Sequence, residues 1–347
     1  KLGDAWVKKE NYVGNGAYKL ANHIINEKIE FERNPLYWND KETVINSATF
    51  LAIENPSTDV ARYRAGDLDM TSYALPPEQF AKLQKELPGE VFTTRTLATY
   101  SYELNNKKAP FDNVNVRKAL NLSLDRNVIT DKVLGQGQTP TYVFTPTYIE
   151  EGQLIQQPAY SKEPMAQRNE EAIKLLEEAG YSKANPLKFS ILYNTNENHK
   201  KVAIAAASMW KANTKGLIDV KLENQEWKTY IDSRRAGRYD AARAGWNADY
   251  NQATTFGNYF LSNSSNNTAK YANPEYDKAI AESYVATDAE GRAKAYAKAE
   301  EILAKDFGIV PIFNYVNPRL VKPYVKGYSG KDPQDHIYLR NLYIIKH

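Results

Sequence analysis

The sequence predicts an α/β protein of two lobes, mixed sheets flanked by helices with a hinge between them, on three observations. From Leu187 to Trp246 the order reads β-α-β-α-β, which lays strands parallel with helices against them. Residues 12–70 have a different character, that of short antiparallel strands. The length of 347 residues exceeds what one hydrophobic core holds, about 250–300 residues. The expected division is 1–98 as part of the first lobe, 99–316 as the second, and 317–347 as a return to the first. The hinge falls near residues 98–105.

Each element has a local reason. Ile24–Arg33 alternates apolar and polar in its second half, Pro35–Asp40 is a turn, and Ala48–Glu54 is a second strand. A short helix over Ser57–Ala65 takes Ser57 or Thr58 as its N-cap and stops at Gly66. Asp67–Thr71 reads as a strand and Pro76–Glu86 as a helix. Thr99–Asn105 is an extended crossover. Helices over Val114–Leu124 and on to Leu134 follow, the second stopped by Gly135 and Gly137. Pro140–Pro164 is a loop too long for a plain connector. Then come an amphipathic helix, Asn169–Ala179, a strand, Leu187–Tyr193, and an alanine-rich helix, His199–Thr214. Val220–Asn224 and Tyr239–Trp246 are strands on either side of a helix over Glu226–Arg235. Helices over Tyr276–Val285 and Ala289–Lys305 precede a strand at Ile309–Tyr315, and Ile337–Ile345 alternates like a strand that returns to the first lobe.

Composition narrows the chemistry. Forty-five basic against 42 acidic residues are interspersed, with no basic stripe to track phosphates, so no nucleic-acid partner is expected. The absence of cysteine removes disulfides, thiolate zinc sites and cysteine nucleophiles together. The four histidines show no paired metal-ligand spacing, and neither a nucleophile elbow nor a glycine-rich phosphate loop occurs. Asp67 with Asp69, or Glu177 with Glu178, offers paired carboxylates only in exposed-looking surroundings. No catalytic residue, metal or cofactor is expected. Twenty-five tyrosines and five tryptophans suit an adaptable binding surface, or equally a tyrosine-rich core and rim.

The segment Arg243–Tyr250 is the most informative. It sets Arg243 and Asp249 six residues apart with Gly245, Trp246 and Asn247 between them. In a strand running into a turn, a cation, an aromatic face and a carboxylate share one cleft, which suits a zwitterion such as a peptide. Each residue also has a plainer reading. Asp249 fits an Asx-turn, Arg243 an ion pair with Asp240 or Asp249, and Arg234 the favourable end of a helix dipole. His199 fits a surface capping region, and Trp227 a core position.

Several stretches resemble the extracellular solute-binding proteins of peptide ABC importers. Pro110–Arg126 resembles the family's Pro-Phe-x-Asp-x-x-Val-Arg-x-Ala pattern with Asp-Arg at its end, Asn113 standing at the first aspartate. Asn169–Gly180 resembles the family's Ala-Leu-Leu-x-Glu-Ala-Gly helix, and Val310–Pro323 the segment returning to the first lobe. Arg243–Tyr250, and the match from Leu192 through Trp227, are most similar to the oligopeptide-binding branch; the dipeptide and nickel branches fit less well. The resemblance implies a periplasmic-binding-protein-like fold and a periplasmic receptor that closes on short peptides and hands them to a membrane permease. A specialised murein-tripeptide receptor, with Arg234 for the extra carboxylates, is the alternative within the family.

Position by position, the resemblance assigns Asp249 to the peptide's α-ammonium and the main chain of Gly245 and Asn247 to an added strand. Arg243, Arg234 and His199 are assigned to ligand carboxylates, and Trp227, Trp246 and Tyr315 to pocket walls. A lysine that enteric relatives use for the carboxylate end is replaced by Leu134, with Lys132 close by, which leaves ligand length open. Relatives also carry a further N-terminal portion. The start at Lys1, with neither methionine nor a leader, reads as a fragment or processed product, that portion being absent or a separate piece.

Overall fold

A computed structural model describes residues 3–72 and 74–347; Lys1, where the sequence starts, lies outside them. The chain divides into two compact units, one of residues up to Thr94 together with Asn317–His347, the other Arg95–Val316.

The first unit holds an antiparallel sheet of β1 (Tyr18–Ile24), β2 (Lys28–Arg33) and β3 (Ser47–Leu51). Two helices follow, α1 (Pro56–Ala65) and α2 (Pro77–Glu86). The α1 cap is Asn55 rather than Ser57 or Thr58: its Oδ1 accepts from Ser57 N at 2.8 Å and Thr58 N at 3.3 Å, and Pro56 fills the first helical position. Gly66 ends the helix in the left-handed region, as the sequence indicates. Val60, Tyr63, Leu75, Phe80, Leu83 and Leu320 form this unit's core. The strand expected at Asp67–Thr71 is a single bridge from Met70 to Val321.

The second unit is built on a six-stranded mixed sheet. Its members are β4 (Val91–Leu104), β5 (Thr139–Pro140), β6 (Leu187–Asn194), β7 (Ile218–Gln225), β8 (Ala241–Asn247) and β9 (Ile309–Leu320), in the order β5-β9-β4-β8-β6-β7. As the β-α-β-α-β reading requires, β6 pairs parallel with β7 and with β8. β4 runs antiparallel to β8, so the whole sheet is mixed. The strands β4 and β9 are longer than expected because both continue past the boundary between the units.

The helices are α3 (Val114–Leu122), α4 (Met165–Glu178), α5 (Glu197–Asn213), α6 (Trp227–Arg235), α7 (Thr254–Gly257), α8 (Pro274–Val285) and α9 (Ala289–Lys305). The turn at Thr254–Phe260 was not anticipated, and the second helix of the 114–134 stretch is a wide π-type segment, Val128–Leu134. One core joins Tyr100, Tyr102 and Leu104 of β4 to α3, α4 and α5 around the buried Trp210, while a second joins Leu97 and Ala248 to α7, α8 and α9. The C-terminal alternation yields only a two-residue pairing of β10 (Val325–Lys326) with β11 (Tyr343–Ile344).

The Pro110–Arg126 motif is scaffolding. The Arg117 guanidinium donates to the carbonyls of Phe111, Asp306 and Phe307, and that of Arg126 to Asn121, Thr141 and Pro311. Charge-assisted bonds to carbonyls tie distant segments together without a carboxylate.

Candidate functional site

The site grows from an incomplete pairing of β8. On one side β8 pairs with β4 over seven residues, from Ala98 opposite Asn247 to Leu104 opposite Ala241. On the other side β6 pairs only with Ala241 and Ala242. The hydrogen bonds flanking the ladder fix which groups are free. Ala248 N donates to Leu97 O, and Asn105 N donates to Asp240 O. Even-numbered residues of β8 therefore direct their N–H and C=O toward β4, and Arg243, Gly245 and Asn247 direct theirs to the opposite edge. The Arg243 carbonyl on that edge accepts from the Tyr230 hydroxyl. Gly245 and Asn247 carry the stretch that β6 leaves uncovered, Gly245 half-buried and Asn247 exposed.

The side chains of those odd positions share a face with Tyr100. Arg243 lies over it, Cζ 5.2 Å from the Tyr100 ring centroid, with Nη2 donating to the Tyr315 hydroxyl at 2.5 Å and Nη1 3.5 Å from Asn194 Oδ1. Neither carboxylate expected to neutralise it does so. Asp240 is taken by Lys108 Nζ at 2.6 Å and by Ser190 N at 3.0 Å, and Asp249 Oδ2 accepts from Thr255 Oγ1 at 3.2 Å. The Arg243 Nε is buried without a partner. A sheltered cation without a carboxylate is costly to maintain and attracts an anion.

His199 completes the cationic end. It sits in the first turn of α5, whose cap Asn196 accepts from His199 N at 3.1 Å, and its ring lies 5.6 Å from Tyr100. Burial, and then the Arg243 charge, hold its pKa well below the usual histidine range, so the ring is neutral at pH 7. Half-buried against Tyr100, it lies beside Arg243.

Asp249 follows the free edge and is exposed. It is not in an Asx-turn with its own backbone. The Thr255 hydroxyl both accepts from Asp249 N and donates to Asp249 Oδ2, each at 3.2 Å, and also accepts from the Trp246 indole at 3.2 Å. Trp246 packs edge-on against Tyr259, with centroids 4.9 Å apart. Trp227 is 55% exposed and stacks on Tyr230, which excludes the core reading. Tyr315 stands beside Phe313 and Tyr100.

Arg234 lies apart from these residues. It is not at the free edge with Arg243 and His199 but buried against Glu103, Nη2 to Oε2 3.0 Å, and it donates to Tyr259 and Thr268 hydroxyls at 3.1 Å. Its charge is already neutralised inside the protein. Leu134 is buried in the core with Lys132 exposed beside it, so no cation occupies that position. Sequence reasoning missed Tyr100, Asn194, Tyr230 and Thr255. Only Thr255 left a trace, a hydroxyl six residues after an aspartate; the others depend on strand register.

No group of three or more potential metal ligands occurs among the described residues, and none of their helices is long and apolar enough to cross a membrane. The model of bacterial extracellular solute-binding proteins, family 5 (middle), matches residues 1–268. The chain belongs to this family. It is 97% identical over 347 residues to the periplasmic oligopeptide-binding protein OppA of Haemophilus influenzae, covering all of this chain and 64% of that one. It is 43% identical over 345 residues to the periplasmic murein peptide-binding protein MppA of Escherichia coli, covering 99% and 64%. The crystal structure of Haemophilus influenzae OppA in complex with RPPGFSPFR matches with a TM-score of 0.96 at 96% identity, over 99% of this chain and 67% of that chain. The chain thus spans 64% of the length of both named relatives. Its fold is the mixed α/β, two-lobed type of the solute-binding family, whose members are receptors rather than enzymes.

Proposed function

We propose that this chain is the peptide-holding part of a periplasmic receptor for an ABC importer. Short oligopeptides add as a strand along the free edge of β8, and the loaded receptor delivers them to a membrane permease. The observation that carries the reading is the coincidence on one strand of an unpaired edge at Gly245 and Asn247 with a carboxylate-free cation at Arg243. Main-chain bonds give affinity without reading side chains. In this reading Asp249 takes the α-ammonium and Arg243, with His199, the carboxylate. Trp227, Trp246 and Tyr315 flank the ligand's side chains. The oligopeptide-binding name and the bound RPPGFSPFR of the relatives above support it.

The murein-tripeptide alternative loses its specific support, because the arginine it needs, Arg234, is committed to Glu103. Mass spectrometry of small molecules released when the purified protein is denatured tests the choice. A mixture of short peptides of varied sequence is expected; a single murein peptide would overturn the oligopeptide reading.

A further inference from the structure

We infer that Gly245 is a positioning residue for the Arg243 cation, its missing side chain being the space where the guanidinium meets the Tyr315 hydroxyl. This rests on the reading of Arg243 as the carboxylate anchor. Glycine weakens a strand, so its presence in the middle of β8 needs a reason. Backbone conformation does not supply one, because Gly245 is absent from the positive-φ glycines and pairs regularly with Tyr100.

The space around it does. A Cβ built on Gly245 would stand 3.0 Å from Arg243 Nη2, 3.0 Å from Tyr315 Oη and 3.5 Å from Arg243 Cζ. Arg243 and Gly245 alternate onto the same face, so the arginine side chain runs along its own strand and lays its guanidinium over the glycine. Contacts of 3.0 Å are tighter than an ordinary Cβ contact, so a neighbour must shift by a few tenths of an ångström. The Tyr315 ring packs at 5.2 Å from Phe313 and 5.8 Å from Tyr100, and the guanidinium is already flanked by the Tyr100 ring. A methyl group at 245 would turn the cation away from the free edge while leaving the N–H and C=O of residue 245 in place.

The test is calorimetric titration of wild type and Gly245→Ala with alanine peptides of two to five residues, each as free acid and as C-terminal amide. Wild type should prefer the acid of the best-fitting length by roughly 10- to 100-fold, the worth of a charged hydrogen bond. Gly245→Ala should bring that ratio below about threefold, the acid losing far more affinity than the amide, because the cation has moved. In an Arg243→Met background the same glycine change should leave the acid-to-amide ratio where it is.

An undiminished ratio in Gly245→Ala overturns the inference. So does equal weakening of acid and amide, which would mean that glycine serves close approach of the ligand backbone instead. A wild-type ratio near one would remove the anchor role of Arg243 itself, and the inference with it. Thermal melting of each variant establishes that the ratios are read on folded protein.

Discussion

Replacing Arg234 by methionine separates a structural arginine from a ligand-binding one. The Glu103 side chain is 1% exposed and that of Arg234 10%, so the substitution strands a carboxylate in the interior. Breaking a buried pair by removing one partner costs about 3–5 kcal/mol. The lower end applies here, because the Tyr259 hydroxyl, 2.6 Å from Glu103 Oε1, and the Thr268 hydroxyl still donate to the carboxylate. At about 2–4 °C per kcal/mol for a body of this size, the melting midpoint should fall by about 6–12 °C. Adding Glu103→Gln should recover most of that loss, since a neutral amide accepts from one hydroxyl through its oxygen and donates to the other through its nitrogen. Differential scanning calorimetry reads the midpoint, and titration with a free-acid alanine peptide below the transition should give wild-type affinity. An unchanged midpoint with affinity lost tenfold or more would refute the reasoning and return Arg234 to the ligand.

Asp249→Ala should weaken binding of an unblocked peptide by about 2–3 kcal/mol, the low end for a charge pair because Asp249 is exposed. N-acetylation of the peptide should mimic this on wild type and add little to the mutant; unaltered affinity in the mutant would end the ammonium role. His199 carries a pH signature. Its folded pKa lies below the unfolded 6.5, so stability is whole above that pH and is lost progressively as pH falls toward the folded value. His199→Gln should flatten the decline in urea midpoint between pH 7 and 5, and an identical slope would show that the ring is not held neutral.

Much of the architecture was legible because it rests on local signals. The helix stop at Gly66 and the parallel trio β6, β7 and β8 need only short-range pattern. Long-range pairing was not legible. The β4 strand begins at Val91, eight residues before the extended stretch expected, because it is stabilised by neighbours distant in sequence. The same limit divides the site. Arg243 and Asp249 stood out by type and spacing, but whether each was already paired depended on Lys108, Ser190 and Thr255. Arg234 looked equally available, and only the register that brings Glu103 opposite Ala242 places a carboxylate within its reach.

Amide hydrogen exchange across β8, with and without a short peptide, tests the central claim most directly. The Ala244 and Trp246 amides face β4 and should be protected in both states. Gly245 and Asn247 face the free edge, so their amides should exchange fast without peptide and slow strongly with it. Alternating protection of that kind is what an added strand predicts. Gly245 and Asn247 amides that exchange equally fast with saturating peptide present would contradict it.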